Sequence, residues 1–114
     1  MSALPEGYEL VTDQSAIDAV AAHAYLTNSY WSPGIPLETV QRAVAGSLCV
    51  AVRHNGAQVA MARAITDRAT FAYLADVYVL DAHRGKGLSK AMVAWFHAHP
   101  ALQGLRRWML MTRD

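Results

Sequence analysis

The chain has 114 residues, 54% apolar and 17% charged, with a formal net charge of +1. This balance suits one small domain with a packed core, and it excludes a disordered chain and a bulk binder of nucleic acid. Cys49 is the sole cysteine, which excludes an internal disulfide and a cysteine metal cluster and fits a reducing compartment.

The opening residues Met1-Ser2-Ala3-Leu4-Pro5-Glu6 have no basic start and no apolar run, so they do not read as a secretory signal. No stretch approaches the length of a membrane-spanning helix, and the expectation is a soluble, cytoplasmic protein. Residues 8–12 suit a short strand. Asp13 or Ser15 can then cap a helix with Ile17, Val20, Ala21 and Ala24 on one face. Residues 28–36 form a loop that holds Asn28, Tyr30 and Trp31. Pro36 can open a second helix with Leu37, Val40 and Val44 as its apolar stripe, and Gly46 is placed to end it.

Residues 48–54 and 57–66 read as strands joined at Asn55-Gly56, the strongest short hairpin signal in the chain. After a turn at Asp67-Arg68, residues 70–80 predict a strand of strict alternation. Phe71, Tyr73, Ala75, Val77 and Val79 fall on one side, with Ala72, Leu74, Asp76, Tyr78 and Leu80 on the other. Leu88, Met92, Trp95 and Phe96 predict a third helix that His99-Pro100 stops, and residues 108–112 predict a last strand. The order predicts a single α/β domain over residues 1–114, with a mixed sheet of about five strands and three helices. The final strand, helix and strand can form a parallel pair with its crossover.

The most informative segment runs from Val77 to Lys90. It reads as an apolar strand, a basic glycine loop and the first turn of a helix. Such a loop gathers backbone N–H groups at the positive end of a helix dipole, where an anion binds well. A P-loop would need a longer glycine spacing ending in Gly-Lys-Ser/Thr, and a dinucleotide fingerprint would need a third glycine.

Arg84-Gly85-Lys86-Gly87-Leu88-Ser89 resembles the pyrophosphate loop of the GNAT acetyltransferase superfamily. That loop runs Arg or Gln, two residues, Gly, one residue, then Gly or Ala, so only Ser89 departs from it. Residues 74–80 resemble the family's fourth strand and residues 105–110 its fifth, and the resemblance covers nearly the whole chain. It implies acyl transfer from acetyl-CoA to an amine. The pyrophosphate would lie on residues Arg84, Gly85, Lys86, Gly87, Leu88 and Ser89, with Lys90 assisting. The pantetheine arm would lie along Val77, Tyr78 and Val79, where a backbone N–H would polarise the thioester carbonyl.

Asp76 is the candidate acceptor of the amine proton and Tyr78 a candidate donor, and Asn28, Tyr30 and Trp31 are candidates for the acceptor site. Each has a structural alternative: a carboxylate bonded within the sheet, or aromatic packing. His97 and His99 flank a helix end, where a cation suits the dipole, and no third ligand is spaced with them for a metal. Cys49, Met61, Met92, Met109 and Met111 read as core filling.

The chain departs from the resemblance in ending soon after the fifth strand, before the family's usual C-terminal helix and strands, where a tyrosine acid usually lies. The exposed last strand could then pair with a second copy in a homodimer. Two rival readings are a non-catalytic acyl-CoA-binding module and a nucleic-acid binder using Arg106, Arg107 and Arg113. The near-neutral charge weighs against the second.

Overall fold

The computed structural model describes residues 4–110. Five strands form one sheet in chain order: β1 (Tyr8–Val11), β2 (Leu48–His54), β3 (Ala57–Thr66), β4 (Phe71–Val79) and β5 (Arg107–Leu110). Neighbouring strands are antiparallel except β4 and β5, which run parallel. Helices α1 (Ala19–Leu26) and α2 (Leu37–Ala45) pack on one face of the sheet and α3 (Leu88–Ala98) on the other. The mixed α/β sheet with its three helices is the one the element order predicts.

Local chemistry explains the turns. Asn55 and Gly56 both have positive φ, +51° and +81°, as the two-residue hairpin requires. At the next turn the Asp67 carboxylate accepts the N–H groups of Ala69, Thr70 and Phe71, and Arg68 takes a φ of +63°.

The core has two halves because the sheet is covered on both faces. Val50 and Val52 of β2 meet Leu88, Met92 and Phe96 of α3. Cys49 and Ala51, which alternate with them along the strand, turn instead toward Leu26 of α1 and Val40 of α2. That double burial is why residues 48–52 are a continuous apolar run.

Several expectations need correction, among them Met109, read as core filling but 43% exposed on β5. Asp13 accepts the Ser15 N–H but opens a 3-10 turn, Gln14–Ala16; Asp18 caps α1 by accepting the Ala21 N–H at 3.0 Å. Ile17 is extended and lies before α1, so it does not share the helix's phase; α1 buries Ala22 and Leu26, and Val20 is 60% exposed.

The strict alternation along 70–80 also fails. Arg63 pairs with Asp76 and Ala64 with Leu74, so Ala75 is an extra residue on β4, a β-bulge. Beyond it the faces exchange: Leu74 shares the α3 side with Val77 and Val79, and Tyr78 faces α1 and α2.

The His99 side chain turns to the element after α3 rather than back onto the helix end. Its Nδ1 accepts the Ala101 N–H at 3.0 Å and caps the next 3-10 turn, Pro100–Leu102. Finally, β5 starts at Arg107, one residue early, and Met111, Thr112 and Arg113 lie outside the described residues.

Candidate active site

The glycine loop follows directly from the end of β4. Leu80 N–H still donates to Val59 O at 2.9 Å, then a 3-10 turn, Asp81–His83, leads into the loop. Gly85 and Gly87 both have φ +78°. Gly87 is the N-cap of α3, and no side chain caps that end. The first N–H groups of the helix therefore need an acceptor from outside it. A Cβ at either glycine would meet nothing within 4 Å, so backbone conformation rather than crowding calls for glycine. Uncapped amides, a dipole's positive end and open space above them fit a diphosphate group.

The Arg84 side chain does not reach into that space. Its Nε donates to Val79 O at 3.0 Å, Nη1 sits 2.9 Å from Asp81 Oδ1, and Nη2 donates to Tyr25 Oη at 3.1 Å. It braces the loop against α1.

The edge of β4 is partly open. Leu80 N–H bonding to Val59 sets the antiparallel alternation, so Tyr78 directs its backbone groups to β3 while Val77 and Val79 direct theirs away. Among the described residues β5 pairs only with Phe71, Ala72, Tyr73 and Leu74, so Val77 and Val79 have no partner from β5.

A cleft of about 400 Å³ opens between this edge and the loop. Val77 and Val79 line it together with His83, Arg84, Gly85, Gly87, Leu88 and Ser89. Tyr25, Tyr30, Trp31 and Tyr78 form its aromatic wall. Tyr25 stacks on Tyr78 with centroids 4.6 Å apart and an 11° interplanar angle, and Tyr30 meets Trp31 edge-on at 5.1 Å.

Behind that wall lies a buried polar network. Trp31 Nε1 donates to Asp76 Oδ1 at 2.8 Å, and Arg63 Nε donates to Asp76 Oδ2 at 2.8 Å. Arg63 also donates to Ser47 Oγ at 3.0 Å, and Asp76 is only 6% exposed. Both carboxylate oxygens of Asp76 thus have partners. Tyr78 Oη accepts from Gln58 Nε2 at 3.1 Å. Burial pushes the Tyr78 phenol up to about 12, with the Gln58 bond pulling weakly the other way.

The fold therefore brings most of the candidate residues to one place. Asp76 lies behind the cleft, under Trp31. Lys86 and Lys90 are exposed beside the loop and do not line the cleft, and Asn28 is exposed with its amide donating to Ala24 O at 3.4 Å. Sequence reasoning missed Tyr25 and His83. His83 directly precedes Arg84 and could have been read with the loop; its Nδ1 lies 2.7 Å from Tyr8 Oη. Nothing local marks Tyr25, whose stacking partner Tyr78 and hydrogen-bond partner Arg84 are far away along the chain.

Among the described residues no group of three or more His, Cys, Asp or Glu is placed to hold a metal ion, and no helix is long and apolar enough to cross a membrane.

A mixed sheet with a β4 bulge, an open β4 edge and a glycine loop heading α3 defines an acyl-coenzyme A-dependent transferase fold. The acetyltransferase (GNAT) family matches residues 11–114, and the chain belongs to that family. It is an acyltransferase, of a family that takes its acyl group from acetyl-CoA.

Similar proteins agree. A crystal structure from Xanthomonas campestris pv. campestris, provisionally named as a GNAT-family acetyltransferase, is 49% identical, with a TM-score of 0.92 over 98% of this chain and 79% of that one. A Gibberella zeae protein provisionally named an acetyltransferase is 32% identical over 94% of this chain and 72% of its own length. The structure of AAC(6')-Iy in complex with the bisubstrate analogue CoA-S-monomethyl-acetylneamine shares the fold, with a TM-score of 0.64 at 14% identity over 92% of this chain and 78% of that one.

Proposed function

We propose that the enzyme moves an acetyl group from acetyl-CoA to a primary amine by direct attack in a ternary complex. The observation that carries this reading is the uncapped first turn of α3 behind two left-handed glycines, beside an open β4 edge. Acetyl-CoA supplies the activated thioester.

The chain's own residues do the rest. The amides of residues 85–89 hold the diphosphate, the Arg84 N–H being bonded to Asp81 O, and exposed Lys86 and Lys90 add positive charge beside it. The outward backbone groups of Val77 and the outward N–H of Val79, whose carbonyl Arg84 already occupies, hold the amide-bearing arm as a short added strand, and the Val77 N–H polarises the acyl carbonyl. Tyr78 takes part through its ring, because its own amide bonds to β3.

In the transfer a nitrogen–carbon bond forms as the carbon–sulfur bond breaks. The sulfur leaves with the electron pair and takes up one proton, and the nitrogen releases one.

Asp76 acts here as a positioning residue rather than the proton acceptor, since Trp31 and Arg63 hold both its oxygens. A water chain then carries the amine proton. Tyr78 keeps its proton far above neutral pH and gives it up to a thiolate only uphill, so it serves as wall. Trp31 and Tyr30 border the acceptor, and Asn28, on the rim, stays outside. The same reading takes residues 1–114 as one acetyltransferase domain and allows a second copy to pair along β5, where Met109 and Leu110 are exposed.

Thiol release from acetyl-CoA, followed with and without a panel of primary amines, tests this directly. Amine-dependent release of thiol with formation of the N-acetyl product is expected. Release that no amine increases would overturn it.

A further inference from the structure

The aromatic wall carries information that the reaction class does not. Four rings from three parts of the chain converge on it, and they are held from behind. Trp31 is fixed through its indole N–H to Asp76, which Arg63 holds in turn. Tyr25 is fixed twice, by stacking on Tyr78 and by the Arg84 bond to its hydroxyl. Tyr30 meets the edge of the Trp31 system. Such a wall keeps its shape without a ligand, so little ordering cost falls on binding.

Ring faces favour a flat apolar group, and they attract one positive charge through the ring quadrupole. The charged and titratable side chains lining the cleft among the described residues besides the tyrosines, His83 and Arg84, are basic. The nearby carboxylate of Asp76 is already bonded on both oxygens. The cleft lining among the described residues has no carboxylate to pair a second ammonium group, and Arg84 is already paired with Asp81, whereas a ring-bearing monoamine can pack on the exposed rings of Tyr30 and Trp31.

We propose, on the basis of the acetyl-transfer reading above, that the acceptor is a small monoamine with its amino group on a short alkyl arm from an aromatic ring. The ring lies against Trp31 and Tyr30, and the amine points to the carbonyl held at Val77.

The test uses the full chain at saturating acetyl-CoA, with tryptamine and phenethylamine compared against putrescine and a lysine-containing peptide blocked at its N-terminus. Ring-bearing amines are expected to exceed the other two in kcat/KM by about tenfold. Trp31→Ala should raise the KM for tryptamine by about tenfold while the acetyl-CoA KM stays put. Trp31→Phe should restore part of the loss, because it keeps a ring. Tyr30→Ala, at a 59% exposed position, repeats the test if Trp31→Ala fails to fold. Equal turnover of putrescine or the lysine peptide would overturn the inference and leave amine acetylation standing. An equal effect of Trp31→Ala on every amine would do the same. No amine-dependent thiol release at all would instead remove the reading beneath it.

Discussion

The two walls of the cleft are built differently. The loop wall is backbone: a turn, two left-handed glycines and the first amides of α3. The aromatic wall is side chain: rings from α1, the loop after it and β4, held by a buried ion pair. A backbone site recognises what a whole family shares, because it needs only glycines and a helix start. A side-chain site can change one residue at a time, which is why the acceptor selectivity proposed above is assigned to that wall.

This contrast can be broken most severely behind the aromatic wall. Asp76→Ala leaves the Arg63 guanidinium, with a side chain only 15% exposed, without its carboxylate. Breaking one side of a buried pair costs about 3–5 kcal/mol. Urea unfolding should show a loss of that order, and a change within error of zero would mean that the pair contributes nothing.

At the loop wall the corresponding change is Gly87→Val. A β-branched residue is strained at φ +78°, and its side chain projects into the space above the amides. Acetyl-CoA affinity by calorimetry should fall about hundredfold, with stability lowered by only about 1–2 kcal/mol. Unchanged affinity would remove the loop from the cofactor site.

A third test probes by pH the core half that Tyr78 of the aromatic wall shares with Cys49. Burial raises the Cys49 thiol from its ordinary 9.0 to about 11 and the Tyr78 phenol from 10.0 to about 12. Both groups hold their protons longer when folded, so above pH 9 the unfolded chain binds fewer protons and stability falls as pH rises. The unfolding free energy should fall progressively from about pH 9 to pH 12, by on the order of 5 kcal/mol for the two groups together. Cys49→Ala should remove the part that begins near pH 9 and leave the part due to Tyr78. A flat profile over that range would contradict the burial of both groups.

The smallest effect is expected where the walls touch. Tyr25→Phe keeps the stack on Tyr78 and removes the acceptor of the Arg84 bond, at an exposed position. Acetyl-CoA affinity should weaken by about threefold. A loss as large as that for Gly87→Val would mean that the brace, rather than the amides, holds the cofactor.

The same difference explains how much could be read from the chain. The hairpin at Asn55-Gly56, the glycine loop and the order of strands and helices were legible, because each depends on local residues with fixed backbone consequences. The path of α1 was misread because Asp13 and Asp18 are equally good caps on paper, and only the 3-10 turn between them decides. The bulge at Ala75 was invisible because both faces of β4 are covered, so apolar residues occur in either phase. Tyr25, Trp31 and Asp76 meet only through tertiary contact, across 45 residues for the Trp31–Asp76 bond, and no spacing rule reaches that far.

Ala75 has a larger role than its single methyl suggests. It offsets the register of β4 by one, so everything downstream presents the opposite side of the ribbon. Were it instead an ordinary, paired member of an unbroken pleat, every later side chain of β4 would change sides. The carboxylate now under the indole would then swing toward Met92 and Phe96, and the amides of the neighbouring valines would turn inward to β3. The handedness of the whole pocket hangs on one small uncounted step in a strand.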